Sequence, residues 1–134
     1  MSVIVTDQGF APAIEVQAVG LDQLDSHQGT VDLAHTDDPA ALVGKLDGIR
    51  LIRVAFPAFN DGRAFTIARR LRMLGYRGEL RALGPVIADQ YAMCRRVGFD
   101  SVEIPEDLAA RQPAEQWIFR ADWQSHDYLS RLKA

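Results

Sequence analysis

The chain has 134 residues, 48% of them hydrophobic and 25% charged, with a net charge of −3 and a single cysteine. That length builds one domain, 1–134, around a real core, and an acidic balance without a basic tail excludes general attraction to nucleic acid. One cysteine excludes a disulfide framework and a four-cysteine iron–sulfur site within one chain, and no apolar run approaches the roughly 20 residues of a membrane span.

Residues 1–7 lack a basic region ahead of a long apolar run, so no signal peptide is expected and the protein is placed in the cytoplasm. Residues 3–6 and 14–19 are short runs rich in β-branched side chains, separated by Gln8-Gly9 and Pro12, and are read as the arms of a short N-terminal β-hairpin. Residues 31–34 form another short apolar run. Asp37-Asp38-Pro39 then reads as a helix start, with the helix running to about Leu46. Residues 49–56, Ile-Arg-Leu-Ile-Arg-Val-Ala-Phe, make a central strand. Asn60 or Asp61 caps the next helix, whose apolar face is Ala64, Ile67, Ala68, Leu71 and Leu74, and Gly75 and Gly78 bracket its end. Residues 79–83 are a short strand. Gly84-Pro85 starts another helix with the stripe Ile87, Tyr91, Cys94 and Val97, ended by Gly98. Residues 100–104 are the next strand, closed by Pro105. The remainder is helical and aromatic, with Pro113 at a helix start and Ser125 as a cap.

Strands alternating with helices of about 10–15 residues imply right-handed βαβ units. The fold expected is α/β, with a mainly parallel sheet from about four βα units starting at Val31, Ile49, Glu79 and Asp100. An open Rossmann-like sheet and a half barrel both satisfy that pattern.

The segments Phe56-Pro-x-Phe-x-Asp61-Gly62-Arg63, Ala68-x-x-Leu71-Arg72, Gly78-Glu79-Leu80-Arg81-Ala82-x-Gly84, Asp89-Gln90 and Arg96-x-Gly98-Phe99-Asp100 resemble a bacterial family, domain of unknown function 934. The clear match covers about residues 50 to 104. Members are often described as probable oxidoreductases involved in sulfite reduction, a description that follows genes lying beside those of sulfite and sulfate assimilation. The resemblance therefore implies a role in that pathway, and brings no catalytic residues with it. One departure is Pro85, where relatives commonly carry an acidic residue after the glycine.

Asn60, Asp61, Gly62 and Arg63 stand where a parallel strand's C-terminal end meets a helix N-terminus, the edge at which α/β folds bind ligands. Free backbone N–H groups there attract anions, and Arg63 adds a bidentate contact. The same residues also serve structure alone, with Asp61 as cap, Gly62 relaxing the turn and Arg63 paired to a carboxylate. Arg81, inside a short strand, needs an anionic partner: Asp61, Asp89 or a bound oxyanion. Internal ion pair and ligand contact both fit. Asp89 and Gln90 fall in the first turn of the next helix, where Asp89 complements the dipole or anchors Arg81. Arg69, Arg70, Arg72, Arg77, Arg95 and Arg96 read as solvated helix faces, or as a surface docking on an acidic redox enzyme.

Cys94 lies on an apolar stripe and reads as packing. His27, His35 and His126 have no metal-ligand spacing, and the dinucleotide and P-loop fingerprints are absent, so no cofactor site is evident. The functional expectation is an accessory or oxidoreductase-associated component of assimilatory sulfite or sulfate reduction that binds a small oxyanion or docks on a redox partner. The alternatives are an enzyme for a small anionic substrate at the strand edge and a non-catalytic assembly module. Trp117, Ile118, Phe119, Trp123 and Tyr128 either close the core or join two chains, a two-fold homodimer being the default.

Overall fold

A computed structural model describes residues 2–58 and 62–121. It holds one six-stranded sheet: β1 (Ser2–Thr6), β2 (Gly9–Pro12), β3 (Thr30–Leu33), β4 (Leu51–Ala55), β5 (Glu79–Leu83) and β6 (Ser101–Pro105). The order across the sheet is β2-β1-β6-β5-β4-β3. β3 to β6 run parallel, as the four expected βα units require. The sheet as a whole is mixed, because β1 lies antiparallel to both β2 and β6.

The connecting helices are α1 (Arg63–Met73), α2 (Tyr91–Val97), α3 (Glu106–Arg111) and α4 (Ala114–Arg120). α1 packs on β4 and on α2, and α2 packs on β6. Their buried side chains Ala64, Ile67, Ala68, Leu71, Tyr91 and Cys94 join Leu108 and Trp117 in one core with Val31, Ile52, Leu80 and Val102 of the sheet. Side chains alternate along a strand, so the residues between those four point to the other face. There stand Asp32, Arg53, Arg81 and Ser101, side by side in register. A parallel sheet covered on both faces would be apolar throughout; this one is apolar only toward its helices.

Three expectations change. The hairpin forms, but its second arm is Gly9–Pro12, not residues 14–19. A two-residue turn at Asp7-Gln8 brings Gly9 opposite Thr6, and Pro12 is tolerated because β2 is an outer strand. Residues 13–18 instead pass from the β2 edge to the opposite edge, where Val19 bridges Val31. The helix expected from Pro39 to Leu46 is one 3-10 turn, Pro39–Leu42, capped by the Asp38 carboxylate on the Ala40 N–H. Val43 is already extended, and Gly44, at φ +77°, turns the chain away. The helix placed at Gly84-Pro85 starts later: Ile87 is extended, a short turn Ala88–Gln90 follows, and α2 begins at Tyr91.

α2 stops at Gly98, φ +116°, where any Cβ would strike the Arg72 side chain. Leu74, expected on the buried face of α1, is 40% exposed because it is the C-cap and lies past the last packed turn.

Candidate functional site

Asn60 and Asp61 fall outside the described residues. Gly62 precedes α1, and Arg63 opens it, exposed, just beyond the C-terminal end of β4. Arg81 does not stand at that strand end. Arg81 lies mid-strand, 7% exposed, on the charged face of the sheet. Its Nε donates to Ser101 Oγ (3.2 Å), one terminal nitrogen to Glu103 Oε1 (3.2 Å), and the other meets Glu79 (3.4 Å). Of its two readings, the structure has the internal ion pair. Of the expected partners, Asp89 does not supply it: it binds Arg120 at 2.6 Å instead, and Asp61 lies outside the described residues.

Arg53 neighbours Arg81 directly. It holds Asp32 with two parallel bonds of 2.7 Å and reaches Glu103 Oε1 at 3.4 Å. The Asp32 carboxylate raises the Arg53 pKa, through its hydrogen bond first. Three carboxylates and two guanidiniums thus neutralise one another, leaving a net charge of −1. Residues 13–16 cross above, enclosing with Ser2, Arg53 and Glu103 a cleft of about 510 Å³. An anion bound at Arg81 would have to displace carboxylates already in place.

A second cavity, about 430 Å³, opens at the C-terminal ends of β5 and β6. Pro85, Ile87, Pro105 and Leu108 form its apolar walls, and Asp107, Arg111 and Gln112 its polar side. Gly84 starts this loop at φ +137°, with the Phe56 carbonyl oxygen 2.3 Å from where a Cβ would sit. Only glycine permits that approach. Gln90, expected as a ligand residue, braces the same loop: its Oε1 accepts the Ile87 N–H at 3.2 Å. This cavity joins two loops distant in sequence, so no local pattern announces it. The charged ladder had a signal, one charge at alternate positions of successive strands, but it needs the register to be read.

The middle arginines divide into two groups. Arg72 is a clamp, donating to the carbonyls of Tyr76, Gly78 and Gly98 and to Asp100. Arg95 donates to the Phe99 carbonyl and meets Asp7. Asp7 also accepts from the Tyr91 hydroxyl at 2.5 Å. Burial first, and then that carboxylate, push the Tyr91 phenol well above its ordinary range. Neither arginine is the solvated residue expected. Arg69, Arg77 and Arg96 are exposed and have no hydrogen-bonded or ionic partner among the described residues, while Arg70 meets Asp38 at 3.1 Å. Met73 and Met93 are exposed beside them, at 79% and 46%. Neither α1 nor α2 contains an acidic residue.

Trp117 of α4 is fully buried, edge-on to Tyr91, with its indole N–H on the Gln112 carbonyl. That much of the tail closes the core. Ile118 and Phe119 remain exposed, and Trp123, Ser125, His126 and Tyr128 lie outside the described residues. Among the described residues no group of three or more His, Cys, Asp and Glu side chains is disposed to hold a metal ion, and no helix is long and apolar enough to cross a membrane.

These elements define a class: a mixed α/β sheet with its helices on one face and a cavity at the C-terminal ends of two of its parallel strands. The sequence profile of one family, described as bacterial protein of unknown function (DUF934), matches residues 30–127, and the chain belongs to that family. The match takes in all four parallel strands and all four helices and leaves out the hairpin and residues 13–18. No curated protein and no solved structure matches the chain.

Proposed function

We propose that this protein is an accessory component of assimilatory sulfite or sulfate reduction, docking on the sulfite-reducing enzyme or its redox partner through the outer face of α1 and α2. The carrying observation is the character of that face. Arg69 and Met73 of α1 and Arg96 and Met93 of α2 are exposed, on two adjacent helices without a single acid, and Arg77 is exposed in the loop that follows α1, in a chain whose net charge is −3. Arginine and methionine are enriched in the cores of protein interfaces, and a local basic patch on an acidic molecule selects an acidic surface and orients it. The pathway comes from the family and its gene neighbourhood. A small oxyanion beside Gly62 and Arg63 belongs to the same reading, with Arg81 left out of its contacts.

The face is also convex on this reading, because we take the sheet as half-barrel-like rather than flat. The support is reach. Seven residues from Pro12 to Val19 extend at most about 25 Å, while six strand spacings of about 4.8 Å in a flat sheet need about 29 Å. Curling toward the charged face shortens the chord and turns the helices outward.

Deleting the gene tests the pathway. Growth with sulfate as sole sulfur source should fail or slow while growth on cysteine is spared, and complementation with Arg69→Glu/Arg77→Glu/Arg96→Glu should not restore it. Equal growth of the deletion strain on both sources removes the reading.

A further inference from the structure

We infer that the cavity at the ends of β5 and β6 is a binding site for a small amphipathic carboxylate, its apolar body among Ile87, Pro105 and Leu108 and its head group on Arg111. The inference is independent of the docking surface, which lies on other elements.

The location is the first reason. In α/β sheets ligands settle outside the C-terminal ends of parallel strands, and this cavity is bounded by the two connections that leave β5 and β6 there. Its volume of about 430 Å³ falls in the range of small-molecule sites, and its walls are chiefly apolar with a few polar groups on one side.

The walls are held before any ligand arrives. The Ile87 N–H is taken by Gln90 Oε1 at 3.2 Å. The Ala88 N–H is taken by Gln112 Oε1 at 2.7 Å, and the Gln112 carbonyl accepts the Trp117 indole N–H at 2.9 Å. Pro85 and Pro105 bring no N–H at all. The lining backbone therefore makes few demands for hydrogen bonds, and an apolar body is what the interior accepts.

Arg111 sets the charge. Its partner on this rim is Asp107, 3.7 Å away, and the two side chains are 71% and 78% exposed. A pair so open and so long is weak, and a guanidinium exchanges it readily for a carboxylate that it can grip with two parallel bonds. Asp107 stays on the rim and repels a second negative charge. The chemistry selected is one carboxylate on a short apolar chain or ring; inorganic phosphate and dicarboxylates are disfavoured.

The test is methyl-labelled NMR of the full chain titrated with hexanoate, hexanamide and hexylammonium. Hexanoate should shift the Ile87 and Leu108 methyl signals saturably. Arg111→Gln should weaken it about tenfold, the loss of one charge-assisted contact, and Lys45→Gln should not. Hexanamide should bind wild type about as weakly as hexanoate binds Arg111→Gln, and hexylammonium more weakly still. Ile87→Trp, which fills the cavity, should abolish the shifts at Leu108. Unmoved Ile87 and Leu108 signals with every probe overturn the site. Equal affinity for hexanoate and hexanamide, unchanged in Arg111→Gln, overturns the carboxylate.

Discussion

Cys94 is fully buried on the inner face of α2, and desolvation pushes its thiol up to about 12. The spacing of Tyr91, Cys94 and Val97 was enough to place it inside, because a helix has a fixed period and an apolar stripe has to find the core. The raised value has a sign. In the unfolded chain the thiol ionises near 9, while in the fold it stays protonated, so its contribution to stability is present below pH 9 and is lost as pH rises toward 12. Tyr76, also pushed up to about 12 by burial, adds to the same alkaline loss from 10 upward. Urea denaturation across the alkaline range should show stability falling with pH, and Cys94→Ala should make that slope shallower by up to about 1.4 kcal/mol per pH unit. An identical slope in the variant would mean that the thiol ionises equally in both states. Arg81 was harder to read. Its oddness in a strand is visible in the sequence, but its partners sit 20 or more residues further on, at Ser101 and Glu103, and only the strand register brings them together.

Among the elements, the four parallel strands are bound by charge as well as by backbone. Arg53 and Arg81 face each other across β4 and β5, an arrangement that is destabilising unless an anion separates them. Glu103 of β6 reaches both. Replacing it with glutamine leaves Arg81, 7% exposed, with Glu79 as its one carboxylate among the described residues, and should cost about 3 kcal/mol, the range for breaking a buried pair from one side. Removing both partners in Arg81→Leu/Glu103→Leu should recover much of that loss, since Arg53 keeps its two bonds to Asp32. Denaturant midpoints for the single and double variants decide the matter; a Glu103→Gln midpoint equal to wild type would show the ladder to be idle. The helices were partly legible for a related reason. α1 and the stop of α2 at Gly98 follow from periodicity and a glycine. The short turn at Pro39–Leu42 does not, because Asp38-Pro39 signals a start and says nothing of length.

At the scale of the molecule, the run of parallel strands was readable because each βα unit is local. The N-terminal piece was not. β1 pairs with β6 across almost 100 residues of sequence, inserting an antiparallel strand where the pattern of units ends. Residues 13–18 resemble a strand in composition, yet Ile14 is 79% exposed, because they form a strap across the sheet, tied by the Ala13 N–H to Ser2 at one end and followed by the bridge of Val19 to Val31 at the other. The outer face of α1 and α2 was visible as a density of arginines but not as a surface: register and packing turn Arg72 and Arg95 inward and leave Arg69, Arg77 and Arg96 outside. That division is what the proposed docking depends on. The measurement that tests it most directly is the affinity of the purified protein for purified sulfite reductase at rising salt, for wild type and for Arg69→Glu/Arg77→Glu/Arg96→Glu. The account predicts saturable binding that weakens steeply with ionic strength and is lost in the triple variant, whose fold is intact by circular dichroism. Binding that is unchanged by salt and by the three substitutions, or no binding at low salt, would contradict it.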